Sequence, residues 1–437
     1  TLDSRFLVDC GLFQGPKKLR ERNWRALPVD PSTLDAVVLT HAHLDHTGYL
    51  PVLMKGGFRG PVYCTSGTRA LCGILLPDSG HLQEEDARYA NKKGYSRHRP
   101  ALPLYTQEEA EAALGSFRAV PFDEHVDLGS KTSLTFSPVG HILGAAAARF
   151  TASGKSLVFS GDVGRFSDPI MRPPRTLGEV DGLVVESTYG NRLHAEQDPA
   201  DALGEVVGRT VARGGIVLIP SFAVGRAQSL LFLLSRLRES GRLPAELPVF
   251  LNSPMAVNAT RIFCAHPDEH RLSESECADM CNVATYVNSV EDSKELNTRR
   301  EPAIIISASG MLTGGRVLHH LKAFGGDERN TILFVGYQGV GTRGHALLDG
   351  TTHLKIHGQL VEIKAEVAQI SGLSAHADYA ELCKWLQPLP AAPERVFITH
   401  GEPDASAALK GHLEQALAWN AEVPAYRDKI ELFGERG

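Results

Sequence analysis

The sequence predicts an α/β protein of packed layers, arranged as two domains or as one large domain carrying an insert, and three observations lead there. A chain of 437 residues exceeds what one hydrophobic core usually serves. Through about residue 188, short β-rich runs end in Gly, His, Ser or Asp: "RFLVD", "LDAVVLT", "GPVYCT", "LTFSPVG", "KSLVFSG" and "GLVVES", with helical patterns such as "TQEEAEAALGSF" between some of them. From about residue 198 the texture changes to alternating strands and amphipathic helices, which favours a parallel sheet.

Within that second stretch "DPADALGEVVGRTVARGG" and "GRAQSLLFLLSRLRESG" space their apolar residues as helices. "IVLIP", "LPVFLN", "PAIIIS" and "NTILFVGYQ" are strand-like apolar runs. From roughly residue 352 short strands return ("HLKIHG", "VEIKAEVAQI", "ERVFITH"), and a helix follows around "DASAALKGHLEQALAW". "PKKLRERNWR" reads as solvated loop or helix surface, and no fixed-period repeat is present.

Hydrophobic residues at 43% and charged residues at 22% are ordinary globular values. No apolar stretch is long enough to span a bilayer, and "TLDSRFLVDCG" lacks the regions of a signal peptide, so a cytoplasmic location is expected. The sequence starts without Met inside a strand-like run, which suggests that a preceding strand is missing from it. Seven cysteines without a C-x-x-C pair suit a reducing compartment and read as buried free thiols. A formal charge of −6 gives no global attraction to nucleic acid. Any polyanionic substrate must therefore be held by a local groove or by metal.

The stretch "LTHAHLDHTGYLP", residues 39–51, concentrates lone-pair donors at one strand exit. Side chains at i and i+2 of an extended segment point the same way, so His41 and His43 can share a metal, while Asp45 and His46 begin the following turn. Imidazole with carboxylate suits zinc, and also manganese or iron, better than calcium. "LTFSPVG" leads to His141, "KSLVFSG" to Asp162 and "ERVFIT" to His400, and exits of neighbouring strands share one rim in α/β architectures. Seven donors exceed the four of a structural zinc. Two metals about 3.5–4 Å apart use them all: His41, His43 and His141 on one, Asp45, His46 and His400 on the other, and Asp162 bridging.

"HAHLDH" with His141 and "SGD" (Asp162), preceded by "LVDCGLFQG" containing Asp9, resembles the metallo-β-lactamase fold. "VVESTYGNR" (Glu186), "IPSFAVGRAQ", "SASGMLTGGR", "FVGYQ" with "GTRG", "SGLSAHAD" (His376) and "ITHGE" (His400) further resemble its β-CASP branch, nucleases of RNA and sometimes DNA that include bacterial ribonucleases and the pre-mRNA 3′-end cleavage factor. The resemblance covers nearly the whole chain. It implies an αββα sandwich made of residues 1–188 and 352–437 with an inserted α/β cap at 189–351. It implies two zinc ions, with manganese as the alternative, and a zinc-dependent ribonuclease acting in a cleft between the two domains as endonuclease, 5′–3′ exonuclease or both. Single-stranded RNA is the expected partner, with DNA as a second substrate and a homodimer as family-level expectations; no membrane is involved. Asp9 is expected to brace a ligand histidine from behind. The family's opening Gly-rich strand is absent, and no additional nucleic-acid-binding module is apparent.

Phosphodiester hydrolysis also needs a proton for the departing oxygen. His376, with its imidazolium favoured by Glu186, is the expected general acid. The strand–Gly-loop–helix pattern of "IIISASGMLTGGRVLHHL" suits a phosphate, so Ser309 and Gly310, with Ser371, Ser374 and Arg226, are candidate phosphate contacts. His319 and His320 read as helix packing or surface residues. "GVGTRG" (Gly339, Gly341, Gly344) fits a dinucleotide fingerprint in spelling, but "HALLDGTTH" is too short for the helix that fingerprint must open. No G-x-S-x-G elbow marks a serine hydrolase. Two rival readings are a small-molecule hydrolase of the same fold and a non-catalytic RNA-processing subunit. The first is disfavoured by the long interval between Asp162 and His400, the second by a complete set of donors.

Overall fold

The computed structural model describes residues 4–15, 17–94, 96–195 and 197–433. Packing divides the chain into two units, the first made of residues 1–167, 172–193 and 376–437, the second of residues 168–171 and 194–375.

The first unit is built on two sheets. One is parallel, in the order Phe6–Val8, Ala36–Val38, Val62–Cys64, Phe117–Ala119. The other is mixed, in the order Arg395–Thr399, Gly182–Glu186, Lys155–Phe159, Ala146–Ala152, Thr132–Pro138, Val126–Asp127. Val38, with Phe6, Val8 and Tyr63 packed alongside, meets Leu134, Phe136, Ala146, Ala148 and Phe150 of the second sheet in one core. The two sheets therefore lie face to face. Alternation along Thr132–Pro138, whose buried Thr132, Leu134 and Phe136 are separated by half-buried neighbours, is what a strand needs to cover that core with one face.

The mixed sheet also aligns its exits. Arg395–Thr399 runs parallel to Gly182–Glu186 with Thr399 opposite Glu186, and Lys155–Phe159 runs parallel to Gly182–Glu186 with Phe159 opposite Val184. Thr132–Pro138 and Lys155–Phe159 are both antiparallel to Ala146–Ala152, so they point the same way. His141, Asp162, Glu186 and His400 all follow or end strands that leave the sheet at one end.

A helix over Ser66–Lys93 begins at Thr65, whose hydroxyl accepts from the Thr68 N–H, and ends at Gly94 in a left-handed conformation. The expected helix near residue 107 forms over Gln107–Ala113 behind a capping box of Thr106 and Glu109. "KLRERNW" is a short helix and a 3₁₀ turn, largely exposed apart from Asn23.

The second unit carries a six-stranded, wholly parallel sheet in the order Thr285–Tyr286, Val249–Asn252, Ala303–Ser307, Ile216–Pro220, Thr331–Val335, Glu366–Ile370. Its central strands are buried at every position, as expected of strands covered on both faces. "VEIKAEVAQI" contributes to two strands: Gln359–Glu362 pairs antiparallel with His353–Ile356, and Glu366–Ile370 joins the parallel sheet. By packing, the second unit thus runs past residue 351 to Ala375.

Among the described residues no helix is long and apolar enough to cross a membrane. All seven cysteines are free thiols, four of them buried and three half-buried.

Candidate metal centre

The loop after Ala36–Val38 carries Thr40, His41 and His43, and His43 caps a short helix, Leu44–Thr47, that holds Asp45 and His46. This segment is fastened to residues 10–12 by backbone bonds: Cys10 N–H to His46 O (2.6 Å) and Leu12 N–H to Leu44 O (2.8 Å). The approach is so close that a Cβ on Gly11 would lie 1.5 Å from the Asp45 carbonyl oxygen, which only glycine tolerates. Asp9 and His400, each just past the end of a strand, take left-handed φ values of 57° and 59°. Such conformations cost non-glycine residues free energy and persist where surrounding contacts over-determine them.

The structure brings all seven expected donors together. His41 Nε2 lies 3.1 Å from His43 Nδ1, and His141 Nε2 lies 3.2 Å from the same Nδ1. Asp162 Oδ2 stands 3.4 Å from His41 Nε2 and 3.5 Å from His141 Nε2. Ligands about 2.0–2.1 Å from a tetrahedral zinc stand roughly 3.3 Å from one another, and these four separations are of that size. His46 Nε2 and His400 Nε2 lie 2.9 Å apart, with Asp45 Oδ2 3.6 Å from His400 Nε2. Asp162 turns its other oxygen to this second group: Oδ1 is 3.3 Å from both His46 Nε2 and His400 Nδ1, yet it is buried and makes no hydrogen bond. A buried carboxylate oxygen ringed by imidazole nitrogens is the environment of a cation ligand. The residues present therefore fit metal.

The electrostatics separate the two groups. His41 is fully buried, and burial together with the neighbouring His46 holds its pKa well below the ordinary histidine value. Burial also lowers the pKa of His43. Both rings are thus neutral, with a lone pair to offer. Burial, the largest single influence, opposes a proton on His46 and His400, but at each the neighbouring carboxylates, Asp162 foremost, together outweigh it. Asp9 adds to the effect at His46, and Asp45 at His400, whose pKa rises to about 9. In the cation-free chain protons occupy this second group, and a metal binding there must displace them. Asp162 itself, despite burial, is held well below the usual carboxylate range by His400, His46 and His41.

Asp9 stands behind the second group. Its Oδ1 accepts from the Thr40 N–H (2.8 Å), and its Oδ2 accepts from the Thr40 hydroxyl (2.8 Å) and faces His46 Nδ1 at 2.7 Å. A proton on Nδ1 leaves the Nε2 lone pair turned to the donor cluster. Asparagine keeps the shape and tolerates the left-handed backbone, but it cannot accept from both the Thr40 N–H and His46. Asp9→Asn is expected to weaken metal affinity by about 10–100-fold, read by competition with a chromophoric chelator.

Glu186 and His376 sit beside the cluster. Glu186 is buried; its Oε1 accepts from Val163 N–H (2.8 Å) and its Oε2 from Thr188 N–H (2.9 Å). His376 Nδ1 is 3.3 Å from Glu186 Oε1 and 3.8 Å from Asp162 Oδ2. Burial disfavours its imidazolium, but the carboxylates, Glu186 foremost, outweigh burial and raise its pKa. The ring stacks on Tyr189 at 5.9 Å and lies 4.5 Å from the His141 ring. A cavity of about 450 Å³ within the first unit reaches Asp45, His46, Asp162, Glu186 and His400.

Sequence reasoning missed Thr40, Thr188 and Tyr189. Thr188 Oγ1 lies 3.2 Å from His400 Nδ1, and Thr40 Oγ1 lies 3.2 Å from His41 Nδ1. The available signal was position: Thr40 directly precedes His41, and Thr188 and Tyr189 lie in the same motif as Glu186.

Ser309, Gly310, Arg226, Ser371 and Ser374 all belong to the second unit. The Ser309 hydroxyl accepts from Thr313 N–H (3.1 Å) and Gly314 N–H (3.3 Å), closing its own loop. Arg226 donates to the Val335 carbonyl. Ser374 is buried and Ser371 exposed. His320 is a core residue whose ring meets Asn297 Oδ1 (2.8 Å) and Asn252 Nδ2 (2.6 Å), and burial lowers its pKa to about 4. The segment from "GVGTRG" forms only a six-residue helix, Arg343–Leu348, followed by an antiparallel hairpin before Glu366–Ile370 pairs parallel with Thr331–Val335, so the crossover lacks the long helix that a dinucleotide fingerprint opens.

Three family models match consecutive parts of the chain: a beta-lactamase superfamily domain over residues 4–204, a Beta-Casp domain over 227–347, and a Zn-dependent metallo-hydrolase RNA specificity domain over 360–424. Ribonuclease TTHA0252 of Thermus thermophilus is 37% identical over 413 residues, covering 93% of this chain and 89% of that protein. Transcription termination factor FttA of Cenarchaeum symbiosum is 34% identical over 456 residues, covering 99% of this chain and 68% of that one. The crystal structure of a protein of unknown function from Enterococcus faecalis V583 superposes with a TM-score of 0.53 over 98% of this chain and 93% of its own, at 13% identity, a likeness of fold alone. With its paired sheets, its clustered histidines and carboxylates, and these matches along nearly its whole length, the chain belongs to the β-CASP branch of the metallo-β-lactamase superfamily, a family of metal-dependent hydrolases.

Proposed function

We propose that the protein is a zinc-dependent ribonuclease that hydrolyses phosphodiester bonds of single-stranded RNA, internally, from the 5′ end, or both. One observation carries the reading: Asp162 stands in the group of His41, His43 and His141 and turns its other oxygen to His46 and His400, and a histidine–carboxylate pair, His376 and Glu186, lies beside them. The relatives named ribonuclease and transcription termination factor support RNA as the polymer. In this reading His41, His43 and His141 hold one zinc, Asp45, His46 and His400 the other, and Asp162 both, with manganese as the alternative metal. A zinc pair supplies hydroxide at neutral pH and offsets charge on the phosphoryl oxygens.

The chain's own residues do the rest. Asp9 and Thr40 fix the tautomer of His46. The Val163 and Thr188 N–H groups hold the Glu186 carboxylate towards His376, so that a proton is kept on Nδ1 and the ring donates another from Nε2 to the departing oxygen. RNA phosphates are proposed to meet the backbone at Ser309 and Gly310, together with Ser371, Ser374 and Arg226. A cytoplasmic location belongs to the same reading.

RNA carrying a 5′-end label, prepared with and without a 5′ monophosphate, is expected to be cut by the zinc-loaded protein. Immediate release of labelled mononucleotide marks exonuclease action, and intermediate fragments mark endonuclease action. Turnover of a chromogenic lactam with intact RNA would overturn the reading. A DNA strand of matching sequence, and sedimentation of the purified chain, test the family-level expectations of DNA cleavage and dimerisation.

A further inference from the structure

The second unit gathers three of the seven cysteines. Cys264 is the last residue of helix Pro254–Cys264, and Cys277 and Cys281 lie one turn apart on helix Glu274–Asn282. Cys264 Sγ is 3.2 Å from Cys281 Sγ, closer than two unbonded sulfurs ordinarily pack. Cys277 also adjoins Cys264, whose thiol lies 3.9 Å from the Cys277 carbonyl oxygen, but its own Sγ is 3.8 Å from His270 Nε2, and the His270 ring is stacked on Phe263 at 4.2 Å. Cys277 is buried, whereas Cys264 and Cys281 are both half-buried and open to a small oxidant.

We propose that Cys264 and Cys281 are an oxidisable dithiol that closes to a disulfide, tying helix Pro254–Cys264 to helix Glu274–Asn282. The sulfurs need approach by only about 1 Å to reach bonding distance. The pair is also electronically divided. The contact with Cys264 is the main influence on Cys281 and outweighs burial, and the Tyr286 hydroxyl acts in the same direction; the Cys281 pKa falls to about 6. The same contact raises Cys264. In this proposal Cys281 is the attacking sulfur and Cys264 the resolving thiol, the arrangement of a redox-responsive pair.

With a hydroperoxide as oxidant, the Cys281 thiolate attacks a peroxide oxygen. The O–O bond breaks, hydroxide leaves, and Cys281 becomes a sulfenic acid. Cys264 sulfur then attacks Cys281 sulfur; the S–S bond forms, the S–O bond breaks, and water departs with the Cys264 proton. Two thiols lose two electrons in all, and the peroxide gains them.

The test is titration of the zinc-loaded chain with hydrogen peroxide, followed by thiol counting in denaturant and peptide mapping. Expected are the loss of two thiols, a cross-linked peptide pair containing Cys264 and Cys281, and full recovery with dithiothreitol. Cys264→Ser and Cys281→Ser should each abolish the cross-link with an unchanged circular dichroism spectrum, while Cys383→Ser keeps it. In Cys264→Ser the Cys281 sulfur should instead be trapped by a sulfenic-acid reagent, a readout that does not depend on the disulfide. A cross-link through Cys277, or no thiol loss at peroxide levels that oxidise a free low-pKa cysteine, would overturn the proposal.

Discussion

Asp162→Asn is expected to cost the protein both its metal and its turnover. The carboxylate faces His41 and His141 with one oxygen and His46 and His400 with the other, while almost wholly buried. Asparagine fits the same space. It carries no charge, however, and whichever side receives its N–H₂ turns a donor on nitrogen atoms whose lone pairs are needed for metal. Losing a partner one shell behind a metal ligand costs about 10–100-fold; loss of a residue proposed to hold metal itself is expected to cost more. Metal analysis and RNA turnover on one preparation check this, and a variant retaining both would remove the shared aspartate from the site. The metal-stripped chain offers a second readout. His400 is raised from its ordinary value near 6.5 to about 9, burial working against this and Asp162 foremost in favour. A raised folded-state pKa contributes stability that is full below the unfolded value and lost as pH climbs through the folded one. The stripped wild type should thus lose stability between about pH 6.5 and 9, and Asp162→Asn should flatten that decline in a melting series.

Part of this centre is legible in the sequence because its donors are local or lie at strand ends. His41, His43, Asp45 and His46 are contiguous, and His141, Asp162 and His400 each follow an apolar run that can only be a buried strand. Parallel neighbours then bring Asp162, Glu186 and His400 to one edge. What sequence could not give is the atom each ring presents: His43 turns Nδ1 to the cluster where His41 and His141 turn Nε2. The helix Ser66–Lys93 escaped notice because Pro77 lies inside it and half of its buried positions are Gly, Thr or Ser, so neither propensity nor apolar spacing announces it. The cysteine pair escaped for a related reason, since Cys264 and Cys281 meet only through the packing of two helices.

His376→Ala tests the opposite arrangement, a loss of turnover without loss of metal. Its Nδ1 lies 3.3 Å from Glu186 and farther, at 3.8 Å, from Asp162, so the ring is bound to the acidic neighbour more closely than to the donor cluster. A positioned general acid contributes about 10²–10⁴-fold, and that is the expected fall in kcat with metal content unchanged. Loss of metal instead would make His376 a ligand. Glu186→Gln separates an acid from a structural histidine. Burial lowers the His376 pKa and Glu186 is the foremost group raising it, so the neutral amide should move the alkaline limb of the rate profile to lower pH: the acid loses its proton sooner, and activity falls earlier as pH rises. A histidine that merely packs on Tyr189 would lower activity at every pH alike, leaving the limb where it was.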